Sequence, residues 1–136
     1  MDGFLSPSPV LIVEDDRSIA QMIVKVVGRK SSRVHTVGTA SEALLNISET
    51  DYAAIVLDLM LPHGSGREVI DVLRRERPEL LPRVIVMTAS PSLLKNIVSG
   101  EIAGTLTKPF DINHLTALLD DISRKLPVAA TEASQA

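Results

Sequence analysis

Five short apolar runs alternate along the chain with segments of helical periodicity, and this alternation limits the possible folds more than any other feature of the sequence. The runs occupy residues 9–13, 33–37, 53–57, 83–87 and 104–107. Three of them contain VLIV, AAIVL and RVIVM, which are almost continuous in aliphatic residues, as is typical of strands buried on both faces of a parallel sheet. The repeated strand–helix pattern predicts an α/β fold with a doubly wound, five-stranded parallel sheet in three α/β/α layers.

Five segments carry apolar residues at the spacing of one helix face and are predicted to be the helices of this fold. Aspartates that precede the first and the last of them are expected to cap those helices. The fourth helix is defined by Leu94, Ile97 and Val98. Pro91 suits its first turn, and Gly100 follows its end.

The length of 136 residues fits one domain, predicted over residues 9–126 between flexible ends at residues 1–8 and 127–136. The chain has no cysteine, which excludes disulfides and thiolate metal sites. A formal net charge of -3 and an aromatic content of 2% argue against direct binding to nucleic acid. No segment approaches the ~20 apolar residues of a membrane span, and the N-terminus lacks signal-peptide features. We therefore expect a cytoplasmic protein that does not contact a membrane.

Polar side chains follow four of the predicted strands at the point where each strand ends. Glu14 and Asp15 follow the first run, Asp58 the third, Thr88 the fourth and Lys108 the fifth. Ligands of open α/β sheets bind beyond the carboxyl ends of the strands. We therefore expect these side chains to meet at one edge of the sheet.

This set of residues is suited to phosphoryl chemistry. Clustered carboxylates repel one another, and a hard divalent cation with oxygen ligands relieves that repulsion. Mg²⁺ commonly takes one or two protein carboxylates, so Asp15 and Asp58 would suffice as direct ligands. Thr88 and Lys108 supply donors for phosphoryl oxygens. Asp58 is then able to attack phosphorus and become an aspartyl phosphate.

Four segments carry a resemblance to a known family. VLIVEDD, VLDLMLPHGSG, VIVMTAS and LTKPF lie in this order at the ends of four predicted strands. Together they resemble the receiver domain of two-component response regulators, of the chemotaxis-receiver type, over roughly residues 9–126. The resemblance implies a flavodoxin-like sheet with strand order 2-1-3-4-5 and five helices.

The resemblance also implies roles for the acidic residues and their neighbour. Asp58 would be the phosphoacceptor, and Asp15 would bind Mg²⁺ directly. Glu14 would hold the metal through water, and the backbone carbonyl of Met60 would be the remaining protein ligand. Met60 also lies at a position that tunes dephosphorylation in the family, where a methionine is expected to hinder water and prolong the life of the phosphate.

Further roles follow for the residues on the other strands. Thr88 would hydrogen-bond to the phosphoryl group, Lys108 would pair with it, and Pro109 would follow a cis peptide bond. Two features depart from the family. Thr105 stands where receivers carry an aromatic switch residue, and the segment between Thr88 and Lys108 is about two residues short. The second departure is expected to trim the fourth helix or the loop that leads into it.

The resulting hypothesis is a stand-alone receiver that accepts a phosphoryl group on Asp58 from a sensor histidine kinase or a histidine phosphotransfer protein. It would signal to a downstream effector by protein–protein contact, and it would catalyse only its own phosphorylation and dephosphorylation. A direct effector, a phosphorelay intermediate and a phosphate sink all fit this description. A receiver cut from a longer hybrid protein is a separate alternative. His63 is expected to be an exposed loop residue rather than a phosphohistidine.

Three other classes of function compete with this hypothesis. The missing aromatic residue favours an interaction module that keeps the fold but works without phosphorylation. A phosphatase with an aspartate nucleophile would typically carry DxD after the first strand, where this chain has EDD. A flavin-binding protein would need a Ser/Thr/Gly-rich phosphate loop at that place, and the chain puts three acids there.

Overall fold

A computed structural model describes residues 7–31, 33–62, 64–97 and 100–126. The flexible ends predicted at residues 1–8 and 127–136 lie outside these ranges, apart from residues 7 and 8. The interpretation of His63 as an exposed loop histidine also falls outside them.

Five parallel strands form one sheet in the order β2-β1-β3-β4-β5, which confirms the flavodoxin-like, doubly wound α/β architecture. The strands are β1 Val10–Val13, β2 Val34–Val37, β3 Ala54–Asp58, β4 Val84–Thr88 and β5 Gly104–Thr107. Each begins and ends within one residue of its predicted apolar run. In the register of the sheet Val13 lies beside Leu57, and Asp58 lies beside Met87. The carboxyl ends of the strands are therefore level with one another at one edge.

Four α-helices flank the sheet among the described residues. They are α1 Arg17–Val27, α2 Ala40–Glu49, α3 Gly66–Glu76 and α4 Ile112–Lys125, and 3-10 helices cover Pro78–Arg83 and Pro91–Leu94. Asp16 and Asp111 cap α1 and α4, as predicted, by accepting hydrogen bonds from backbone N–H groups of the first turn. No helix in the described part of the chain has the length and hydrophobicity needed to cross a membrane.

Alternate residues of each strand enter two separate apolar cores, one on each face of the sheet. In β1, Leu11 and Val13 pack with α2 and α3, whereas Val10 and Ile12 pack with α1 and α4. All four side chains are fully buried. Because both faces of β1 are covered, polar residues are excluded from the side chains that face either core. The sequence of the strand is therefore a continuous apolar run.

The fourth predicted helix is present as a 3-10 helix of four residues, Pro91–Leu94, rather than as an α-helix. Pro91 occupies its first turn, as expected, but Asn96 adopts a left-handed conformation with φ of 70°. A residue in that conformation interrupts the helical path two residues after Leu94. The shortening expected between β4 and β5 has therefore reduced the helix itself. Val98 lies outside the described residues.

Gly66 marks a close approach between the start of α3 and the end of β3. A Cβ atom at this position would lie 2.3 Å from the carbonyl oxygen of Asp58 and 2.8 Å from the Cα of Leu59. Both are backbone atoms and cannot rotate away, so the helix sits against the end of β3 only because residue 66 has no side chain.

We predict that Gly66→Ala lowers the free energy of unfolding by about 1–3 kcal/mol, because the methyl group forces α3 away from β3. Gly38→Ala is the matched control, since a Cβ there would meet its nearest atom at 3.7 Å, an ordinary contact. Urea denaturation monitored by circular dichroism measures both variants. Equal stabilities for the two variants would show that α3 can shift at no cost.

Candidate functional site

Three acidic side chains meet at the carboxyl edge of the sheet, as predicted. Glu14 and Asp15 follow β1, and Asp58 is the last residue of the neighbouring strand β3. One carboxylate oxygen from each lies within 4.8 Å of the others. Glu14 and Asp58 are buried, with 4% and 2% of their surface exposed, and Asp15 is exposed. The cluster therefore has two fixed members inside the protein and one member open to solvent.

Lys108 bridges the two buried carboxylates. Its Nζ donates to Glu14 Oε1 at 2.8 Å and to Asp58 Oδ2 at 3.1 Å. Its backbone N–H donates to the carbonyl oxygen of Thr88 at 2.8 Å, which places the side chain at the end of β4. The Lys108–Pro109 peptide bond is cis, in agreement with the expectation. One ammonium group thus connects residues that follow β1 and end β3.

Backbone N–H groups hold the remaining oxygens of the two buried carboxylates. The N–H of Asp16 donates to Glu14 Oε2 at 3.1 Å, and the N–H of Met60 donates to Asp58 Oδ1 at 2.9 Å. Each buried carboxylate therefore has a donor on both oxygens, and its orientation is fixed. The side chain of Met60 itself is 51% exposed.

The electrostatic balance of the cluster is acidic, because three carboxylates face one ammonium group. Burial raises the pKa of Glu14, and the hydrogen bonds from Lys108 and the backbone of Asp16 only partly oppose that rise. Burial lowers the pKa of Lys108, but its hydrogen bonds to Glu14 and Asp58 outweigh this effect, so the pKa lies above its ordinary value. Lys108 is thus a permanent cation at neutral pH.

Thr88 and Thr105 are not members of this acidic cluster. Thr88 is buried, whereas Thr105 is exposed. Thr88 is buried at the end of β4, and its Oγ1 donates to the carbonyl oxygen of Ser90 at 3.2 Å and accepts from the Ser90 N–H at 3.0 Å. Thr105 is exposed on β5. It lines a cleft of about 550 Å³ with apolar residues that include Leu94 and Ile97. The hydroxyl of Thr88 thus forms its hydrogen bonds within its own loop, to the backbone of Ser90.

Two contacts beside the site were missed by the interpretation of the sequence. The Thr88–Ser90 pair had a possible signal, because Ser and Thr commonly bond to backbone groups two residues along the chain. The second contact joins Arg67, in the first turn of α3, to the carbonyl oxygens of Leu93 and Lys95. It had no signal, since its partners lie 26 and 28 residues away in the sequence.

The fold and the acidic edge are those of a signalling family. The family model for the response regulator receiver domain matches residues 10–120, and the chain belongs to this family. Transcriptional regulatory protein TcrA of Mycobacterium tuberculosis is 33% identical over 128 residues, which cover 93% of this chain and 50% of TcrA. The chain thus spans about half the length of this curated relative.

Solved structures support the same assignment. The receiver domain of Francisella response regulator 1452 is 27% identical, with a TM-score of 0.74 and coverage of 87% of this chain and 98% of that one. Response regulator TrrA of Thermotoga maritima, crystallised in complex with Mg²⁺ and BeF, has a TM-score of 0.74 at 21% identity. The match covers 85% of this chain and 98% of TrrA, and at this identity it shows the fold alone.

We predict that Lys108→Met lowers the free energy of unfolding by about 1–3 kcal/mol in magnesium-free buffer, because Glu14 and Asp58 lose their shared cation. The matched control is Lys25→Met on the exposed surface of α1, which should change stability by less than about 0.5 kcal/mol. Chemical denaturation at neutral pH measures both. A Lys108 variant as stable as the control would mean that the bridge contributes nothing to the fold.

Proposed function

We propose that the chain is a receiver domain in which Asp58 accepts a phosphoryl group from a phosphohistidine. The observation that carries this proposal is the placement of the Asp58 carboxylate. It lies at the end of β3, beside two further acids, with Lys108 Nζ at 3.1 Å from Oδ2. A carboxylate held in this way has a fixed direction of attack, and a cation stands next to it for the incoming phosphoryl oxygens.

The acidic edge also fits Mg²⁺. Its donors are all oxygens, as a hard cation requires, and one ammonium group does not balance three carboxylates. Asp15, Asp58 and the carbonyl of Met60 would hold the ion, with Glu14 acting through water. When bound, Mg²⁺ neutralises charge that develops on the transferring phosphoryl group. TrrA, which shares this fold, was crystallised in complex with Mg²⁺ and BeF.

The residues of the chain divide the transfer step between them. An oxygen of Asp58 forms a bond to phosphorus while the bond from phosphorus to the imidazole nitrogen of the donor breaks, and the imidazole leaves with the electron pair. Lys108 pairs with a phosphoryl oxygen. Thr88 gives up its bonds to Ser90 and donates its hydroxyl to another phosphoryl oxygen. Hydrolysis of the acyl phosphate later restores Asp58, so the protein acts only on its own phosphorylation state.

The proposed partners follow from this chemistry. A sensor histidine kinase or a histidine phosphotransfer protein would supply the phosphoryl group, and a downstream effector would bind the phosphorylated form in the cytoplasm. The formal net charge of -3 favours signalling by protein contact over direct binding to nucleic acid. Thr105, in place of the aromatic residue, gives the switch an atypical form.

One observation favours a second function, an interaction module that works without phosphorylation. The hydroxyl of Thr88 is already satisfied by Ser90, and Thr105 offers no aromatic side chain that could turn inward. Such a module would keep the acidic edge but would not take up phosphate. Phosphorylation of the isolated protein distinguishes the two proposals.

We predict that the protein, incubated with a small phosphodonor and Mg²⁺, gains one phosphoryl group in its intact mass, and that a chelator prevents this gain. Asp58→Asn should take up none, since the amide is not a nucleophile for phosphorus. Asp51→Asn is the control, because Asp51 is an exposed carboxylate before β3, at the opposite edge of the sheet. Absence of uptake in the unchanged protein would favour the interaction module, and turnover of many donor equivalents would indicate a phosphatase.

We predict that Met60→Asn accelerates loss of the phosphoryl group by about three- to tenfold, because an amide beside the acceptor can orient the attacking water and a thioether cannot. The control is Met22→Asn, which changes a comparably exposed methionine on α1. The decay of phosphorylated protein after removal of the donor gives both rates. Fast decay in the unchanged protein, unaffected by the Met60 substitution, would refute this role.

A further inference from the structure

Arg67 makes a long-range contact that the proposed chemistry does not use. Its guanidinium Nη2 donates to the carbonyl oxygen of Leu93 and, at 2.6 Å, to that of Lys95. Both acceptors belong to the post-β4 segment, residues 89–97, which follows Thr88. Hydrogen bonds from a charged donor are stronger than those between neutral groups, so this contact ties the segment firmly to α3.

Arg67 is itself held in place by the loop that follows Asp58. Its backbone N–H donates to the Oγ of Ser65 at 3.1 Å, in the cap of α3. The preceding residue, Gly66, packs against the backbone of Asp58 and donates its N–H to the carbonyl of Leu59 at 3.3 Å. The backbone of Arg67 is therefore anchored to the loop that follows β3, and its side chain ties residues 89–97 to that anchor.

A short chain of hydrogen bonds leads from Arg67 to the hydroxyl of Thr88. The Leu93 carbonyl accepts from Arg67, and the Leu93 N–H donates to the carbonyl of Ser90 at 3.0 Å. The same Ser90 carbonyl accepts from Thr88 Oγ1, and the Ser90 N–H donates back to that oxygen. Movement of Ser90 therefore changes the partners of Thr88 and the position of Leu93 together.

Apart from Arg67, the post-β4 segment is held by the partly buried side chains of Leu93, Leu94 and Ile97, which pack against the core formed with α2 and α3. None of residues 89–97 is buried, and their only regular structure is the 3-10 helix of four residues. Segments with few buried apolar contacts open easily, so a charged contact determines much of their position. The end of the connection to β5 is attached separately, by Arg74 on α3, which donates to both carboxylate oxygens of Glu101 at 2.5 and 2.9 Å.

From this arrangement we propose that Arg67 is an inhibitory contact, which holds residues 89–97 where Ser90 retains the hydroxyl of Thr88. The proposal rests on the function proposed above, in which Thr88 must release Ser90 to reach a phosphoryl group on Asp58. The two bonds from Arg67 stabilise the unphosphorylated arrangement and oppose that release. Their loss would shift the equilibrium toward the arrangement that engages phosphate.

The first test needs no phosphate and compares Arg67→Met with Arg75→Met, a matched change of an exposed arginine on the same helix. In the ligand-free proteins, hydrogen exchange of the Leu93, Lys95 and Ile97 amides should be about tenfold faster in the Arg67 variant only. The amides of β1 and β3 should stay as protected as before and report that the variant is folded. Arg67→Lys, which keeps a charged donor but changes its reach and geometry, should fall between the two. Unchanged exchange in residues 89–97 would overturn the proposal.

The second test measures binding of beryllofluoride with Mg²⁺ by NMR. The apparent Kd should be about tenfold lower in Arg67→Met than in Arg75→Met, because the restraint on Thr88 has been removed. Equal Kd values, despite binding by both, would overturn the inhibitory role. If the unchanged protein binds no beryllofluoride, the proposed function fails, and the exchange experiment still decides whether Arg67 holds the segment.

Discussion

The contact of one ammonium group with two buried carboxylates organises the carboxyl edge of the sheet. Lys108 follows β5, Asp58 ends β3 and Glu14 follows β1, so the bridge spans the sheet across the intervening strand β4. The value of such a buried bridge lies more in position than in stability, because desolvation of its charges offsets much of their attraction. Here it aims the Asp58 carboxylate, and the backbone N–H of Met60 fixes the other oxygen.

Most of the fold was predictable because the strands are covered on both faces. Burial of alternate side chains in two cores removes polar residues from the strand interiors, so strands appear as apolar runs with sharp ends. The site was predictable for a related reason. Parallel strands in level register bring their last residues to one edge, and Glu14, Asp15, Asp58 and Lys108 were identified as residues that end or follow strands.

The parts that the sequence did not reveal depend on contacts rather than on periodicity. Apolar spacing at Leu94 and Ile97 predicted a helix, but a left-handed Asn96 interrupts it, and no pattern records that conformation. The occupation of Thr88 by Ser90 and the reach of Arg67 across to Leu93 were also hidden. Both concern the segment after β4, which the resemblance to receivers predicted to be about two residues short. Prediction from the sequence was therefore weakest in the segment between β4 and β5.

The reduced helix after β4 has a further consequence for the border of the sheet. Thr105 and Thr107 of β5 are exposed, and this strand is the last in the sheet order. A bare terminal strand is a template for edge-to-edge association with other chains and for aggregation. In this protein the border is only four residues long, begins with Gly104 and carries Pro109 shortly after its end. Glycine and proline both disfavour extension of a β-ladder, so this border is a poor template although α4 covers only the face of β5 that carries Leu106.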